Sequence, residues 1–70
     1  MTISEVRSEL INHLGEEVTI KYNLGRNKFE KYNVVIKELY KNIFLVELKE
    51  NLIKSFSYTD VINSTIKIIY

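Results

Sequence analysis

A mainly β domain, a small five-stranded barrel behind an N-terminal helix, is the fold class this chain predicts. Three observations carry the prediction. An apolar period of helical spacing runs through residues 2–14 and stops at a glycine; from Glu16 the period changes to two; and turn signals divide the rest into five strands. With 70 residues, 46% hydrophobic and 27% charged, the chain reads as one folded domain, 1–70. A domain of this size buries only about 60% of the surface its unfolded chain exposes.

The helix is expected over residues 2–14. Thr2 and Glu5 have the spacing of a capping box, in which each side chain satisfies a backbone N–H at the helix start. Ile3, Val6, Leu10 and Leu14, with Ile11 beside them, form one apolar stripe. Gly15 stands where a left-handed cap closes a helix. Val18, Ile20 and Tyr22 then alternate with Glu17, Thr19 and Lys21, the pattern of a half-buried strand. Gly25 and Arg26 mark the turn of a hairpin, a backbone pivot presenting a cation. Residues 28–40 form a long strand whose consecutive Val34, Val35 and Ile36 break simple alternation, so a bend that turns its inner face outward is expected there.

Tyr40-Lys41-Asn42 is a short turn, and Ile43 to Lys49 a third strand with Phe44, Val46 and Leu48 on one face. Glu50-Asn51 turns the chain again before a fourth strand, Leu52 to Tyr58. Thr59 to Asn63 reads as a single helical turn that Ser57 or Thr59 can cap, with Asp60 at its positive end. Thr65 to Tyr70 is the last strand. Five strands closed on themselves would hide their edges, so these elements assemble most simply as an SH3-like barrel 16–70 behind the helix.

Composition limits what such a domain does. There is no cysteine, hence no disulfide and no thiolate metal site. No apolar run approaches the roughly 18 residues of a membrane span, and the amphipathic N-terminus is unlike a signal peptide. A cytoplasmic protein with no membrane partner is expected. His13 is the lone histidine, placed at the helix end without a nucleophile or orienting partner in view. Glu16 and Glu17 are adjacent on a strand, point to opposite faces and cannot act as a dyad. Gly15 and Gly25 are too far apart to cradle a phosphate. The expectation is a protein with no catalytic residues, no metal, no cofactor and no small-molecule substrate.

Binding is the better reading. Lys21, Arg26, Lys28 and Lys31 cluster around the first hairpin, with Tyr22, Phe29 and Tyr32 interleaved. Small barrels use aromatic-plus-basic surfaces of this kind for single-stranded nucleic acid. Taken alone, composition favours core aromatics and solubilising lysines, since the formal net charge is only +1. A second surface, the helix stripe with Ile43, Leu45, Ile69 and Tyr70, would suit self-association or a protein partner.

Three segments, in order, resemble the Veg family, small proteins of Gram-positive bacteria described as biofilm-formation stimulators. The first is Ser4-Glu5-Val6-Arg7 with Leu10 and Gly15. The second is Val18-Thr19-Ile20-Lys21 followed by Asn23, Gly25-Arg26 and Lys28. The third is Ser57-Tyr58-Thr59-Asp60-Val61 with Thr65. Glu38, Tyr40, Ile43-Phe44-Leu45-Val46 and Leu48 fall at family positions between them. Leu24 and Asn27 stand where the family's turn carries a second glycine and a second arginine, and the family's acidic hairpin is shortened to Lys49-Glu50-Asn51.

The resemblance implies an SH3-like barrel and a non-enzymatic role in regulating transcription during biofilm formation, through protein contact that relieves a repressor. The expected partners are a protein, a transcriptional regulator among the candidates, and, from the apolar helix stripe, a second copy in a homodimer. The expected contact residues are Lys21, Arg26, Lys28, Lys31, Tyr22 and Tyr32, on a frame marked by Gly15, Gly25, Ser57, Tyr58 and Asp60. A nucleic-acid-binding module using the same cations, with Tyr22 or Tyr32 stacked on bases, is the alternative.

Overall fold

The computed structural model describes residues 1–70, the side chain of Glu50 excepted. Its elements are α1 (Ile3–Ile11), β1 (Glu17–Gly25), β2 (Lys28–Leu39), β3 (Ile43–Glu47), a 3₁₀ turn (Lys49–Asn51), β4 (Ile53–Ser57), α2 (Tyr58–Ile62) and β5 (Ile66–Ile69).

The capping box starts α1 as expected. The Glu5 N–H donates to Thr2 Oγ1 at 3.2 Å, and the Thr2 N–H to Glu5 Oε1 at 3.0 Å. Hydrogen bonding from Thr2 to the Glu5 carboxylate, its backbone N–H first, stabilises the charged form and lowers the Glu5 pKa. The helix is shorter than the apolar stripe implies, ending at Ile11 with Asn12 as its cap. Val6 and Leu10 are buried, whereas Ile11 and Leu14 are exposed. Beyond Ile11 the chain tightens: the N–H groups of His13 and Leu14 donate to the carbonyls of Leu10 and Ile11, three residues back. Gly15 then adopts φ +82°, and its N–H donates to the Ile36 carbonyl at 2.8 Å, delivering the chain into the sheet.

The five strands form one antiparallel sheet in the order β4-β3-β2-β1-β5. The sheet is not closed, which corrects the expected barrel. β4 and β5 lie at opposite edges, because the chain between them folds as α2 and returns to pair with β1. Ser57 starts α2, its Oγ accepting the Asp60 N–H at 3.1 Å. Tyr58, expected at the end of β4, is the first residue of this helix. β3 likewise stops at Glu47, two residues early, with Leu48 leading into the 3₁₀ turn at Lys49.

Val18, Ile20, Val34, Ile36, Phe44, Val46, Phe56, Tyr58 and Ile66 form the core together with Val6 and Leu10 of α1. Phe44 stacks on Tyr58 at a centroid distance of 5.6 Å and lies 6.0 Å from Phe56. Tyr58 is fully buried, and its hydroxyl donates to the Tyr40 carbonyl at 2.6 Å, satisfying the one polar atom it takes inside. Burial pushes the Tyr58 phenol pKa up, against the pull of Arg7.

The bend expected in β2 is a bulge. Ile36 pairs with Val46 and Glu38 with Leu45, leaving Lys37 as the extra residue. Core-facing residues are even-numbered before the bulge (Val34, Ile36) and odd-numbered after it, where partly buried Leu39 pairs with Phe44. The sheet also curls, so that Phe56 of β4 comes within 6.4 Å of the Tyr22 ring on β1, three strands away.

Candidate functional site

The first hairpin carries most of the expected contact residues. Gly25 pairs with Lys28 across a two-residue turn, Arg26-Asn27. Gly25, Arg26 and Asn27 have φ of +89°, +45° and +64°. Positive φ at both central residues is the requirement of the tight hairpin turn that follows the strand twist. Asn27 meets it cheaply. Arg26 does not, and this backbone costs a non-glycine residue on the order of 1 kcal/mol. The Asn23 carboxamide oxygen accepts the Gly25 N–H at 2.7 Å, bracing a bulge at Leu24. Arg26 therefore stands at an exposed, braced tip.

Cross-strand register then sorts the remaining residues by face. Val18, Ile20 and Tyr22 pair with Val34, Tyr32 and Glu30 on the core side, and Thr19, Lys21 and Asn23 pair with Asn33, Lys31 and Phe29 on the other. The six expected residues thus do not form one patch. Lys21 and Lys31 lie on the outer face, Tyr22 and Tyr32 on the inner face, and Arg26 and Lys28 at the tip. Tyr22 and Tyr32 pack partly buried against the core. Tyr32 donates its hydroxyl to the Glu30 carboxylate, and this hydrogen bond raises its pKa. Lys54 of β4, which carried no expectation from sequence, lies 4.6 Å over the Tyr32 ring and 6.0 Å over that of Tyr22. Both tyrosine rings are engaged within the fold.

On the outer face the sheet adds a cation that the linear sequence conceals. Lys21 pairs with Lys31 on β2 and with Lys67 on β5, so three lysines lie directly opposite one another across three adjacent strands. Neighbouring strands are about 4.8 Å apart, which places the three Cα atoms within roughly 10 Å. Like charges facing across strands are destabilising. Among the described residues the ion pairs are His13–Glu16 and Lys37–Glu47, neither of which involves this row. The Lys21 ammonium lies 3.9 Å above the ring of Phe29, an exposed aromatic on the same face. A groove of ≈ 490 Å³ adjoins the row, lined by Lys21, Lys67 and Phe29 together with Val61, Ile66 and Tyr70. Its walls combine these cations and apolar groups with one carboxylate, Glu9, and polar Asn23 and Ser64.

The residues weighed for catalysis are elsewhere. The His13 ring stacks on Tyr70 at 4.2 Å, and its Nδ1 lies 3.3 Å from Glu16 Oε1. Burial and nearby Glu9 push the Tyr70 phenol up to about 12. Asp60 lies in the first turn of α2, its backbone N–H donating to Ser57 Oγ. Among the described residues there is no group of three histidine or carboxylate side chains placed to hold a metal ion. No helix is long and apolar enough to cross a membrane.

By fold and surface this is a small open-sheet domain, covered by two short helices, with a basic cross-strand row on its outer face. The chain belongs to the family described as biofilm formation stimulator VEG, whose family model matches residues 1–69. A comparison with curated proteins finds no match.

Proposed function

We propose that this chain is a non-enzymatic regulatory module of the VEG family that acts in biofilm formation and the control of transcription by docking on an acidic surface of a protein partner. The observation that carries the reading is the Lys67–Lys21–Lys31 row. Three ammonium groups held opposite one another repel, and an anionic partner relieves that repulsion on binding. Phe29 beside them, with the groove along β5, supplies apolar area that a purely solubilising lysine cluster would lack. Arg26, at the hairpin tip, extends the basic surface.

Single-stranded nucleic acid is the less favoured ligand, because Tyr22 and Tyr32 face the opposite side of the sheet from Lys21 and Lys31. A strand lying on these lysines would meet Phe29 but no second aromatic among the expected stacking residues. The test is affinity capture from cell extract with the wild-type chain and with Lys21→Glu/Lys31→Glu, each over a salt series. Loss of a salt-sensitive protein partner in the double variant is expected. If both chains retain the same partners, the row is not the contact. Capture of nucleic acid alone, weakening steeply with salt, would transfer the site to the other class of ligand.

A further inference from the structure

The open sheet leaves two unpaired edges, and they differ in what they can accept. Along β4, the Tyr58 N–H donates to the Asn42 carbonyl and the Leu48 N–H to the Leu52 carbonyl. These bonds set the alternation of the antiparallel ladder, so that the even-numbered residues of β4 bond to β3. Ile53, Ser55 and Ser57 therefore direct backbone groups away from the sheet. Ile53, Lys54 and Ser55 are exposed, Ile53 at 53% of its surface. The outward positions are uncharged, contain no proline and are centred on Ser55. From this geometry we infer that β4 is a self-association edge, pairing antiparallel with β4 of a second copy about a two-fold axis at Ser55.

Register supports that occupant over others. With Ser55 opposite its own counterpart, the two serines exchange both backbone hydrogen bonds, and each Ile53 carbonyl faces a Ser57 N–H of the second copy. Lys54 then faces the second copy's Phe56 on the inner side instead of another lysine. Apolar Ile53 gains a neighbouring strand. The corresponding arrangement at β5 is repulsive. The Asn23 N–H bonds to the Thr65 carbonyl, so Ile66 and Ile68 direct their backbone groups outward. A two-fold pairing that uses both sets Lys67 against its own counterpart, joining two lysine rows end to end. β5 is thus guarded by charge, while the backbone-facing positions of β4 are not. A five-residue seam is far smaller than a standard interface, so the dimer is expected to be weak and concentration-dependent. The inference is independent of the lysine row, which lies on other strands.

Absence of cysteine gives a direct test. Residues in a hydrogen-bonded antiparallel pair have Cα atoms about 5.5 Å apart, within the span of a disulfide. Ser55→Cys, oxidised with diamide at high micromolar concentration, is expected to cross-link to a covalent dimer. Ile69→Cys, exposed on β5 and leaving Lys67 in place, serves as the control at the other edge and is expected to remain monomeric. In sedimentation equilibrium the wild type should approach dimer with concentration, and Ser55→Lys should remain monomeric with an unchanged circular-dichroism spectrum. Equal cross-linking of the two cysteine variants, a wild type that stays monomeric at millimolar concentration, or assembly beyond the dimer would overturn the proposal.

Discussion

The two faces of this sheet are written by the same strands in alternate residues, yet they do opposite things. Val18, Ile20 and Tyr22 of β1 turn inward to a core closed by Phe44, Phe56 and Tyr58. Thr19 and Lys21 of the same strand turn outward, and there the register lines up Lys67, Lys21 and Lys31. The inner face is complementary to itself: rings stack, and a buried hydroxyl finds its acceptor. The outer face is not complementary to itself: its three lysines face one another and none has an ion-pair partner among the described side chains. One face holds the fold together and the other is presented.

The contrast predicts stability losses on the inner face and binding losses on the outer one. The largest effect is expected from Phe44→Ala, which removes a fully buried ring touching both Phe56 and Tyr58. Urea denaturation should show a loss of about 3–5 kcal/mol. Tyr58→Phe keeps the ring but strands the Tyr40 carbonyl, and should cost about 1–3 kcal/mol by the same measurement. Lys31→Glu should move the other way, replacing a like-charge pair with an opposite one and gaining about 0.2–1 kcal/mol while weakening partner capture. A loss of stability from this variant would mean that the row is structural and the division between faces is wrong.

The smallest effects lie at the ends of the pH range. The neutral Tyr70 phenol is favoured in the folded state, so its contribution is complete below the ordinary phenol value of 10.0 and is lost as pH rises from there to about 12. Thermal melts of wild type and Tyr70→Phe should diverge in that alkaline window. Glu5 is the acid counterpart. Its pKa is lowered in the folded state by the capping box, so its contribution is present above the ordinary carboxylate value of 4.5 and disappears as pH falls through the lowered one. Glu5→Gln should flatten the acid end of the stability profile slightly.

How much of this was legible depended on distance along the chain. The capping box, the left-handed Gly15, the Ser57 cap and the two-residue alternation are local and legible, although α1 ends with Asn12 as its cap rather than Gly15 and strand ends shift by a residue or two. Local signals also split the expected contact residues correctly once the alternation is taken seriously, since Lys21 and Tyr22 are neighbours and must face apart. Pairing between distant segments was not legible. Nothing near Lys67 says that β5 returns beside β1, so the third lysine of the row escaped notice. Closure depended on the same long-range choice, and the barrel expectation failed where α2 carries the chain across to the far edge. Lys54 was missed because its aromatic neighbours Tyr22 and Tyr32 lie on strands that reach it only through the curl of the sheet.

The claim that the outer row is the binding face is tested most directly by amide NMR, titrating the ¹⁵N-labelled chain with a short polyglutamate peptide as the acidic probe. The account predicts salt-sensitive shifts concentrated at Lys21, Phe29, Lys31 and Lys67, with Val18, Ile20 and Phe44 undisturbed. Shifts centred instead on Tyr22, Tyr32 and Lys54, or none at low salt, would contradict it.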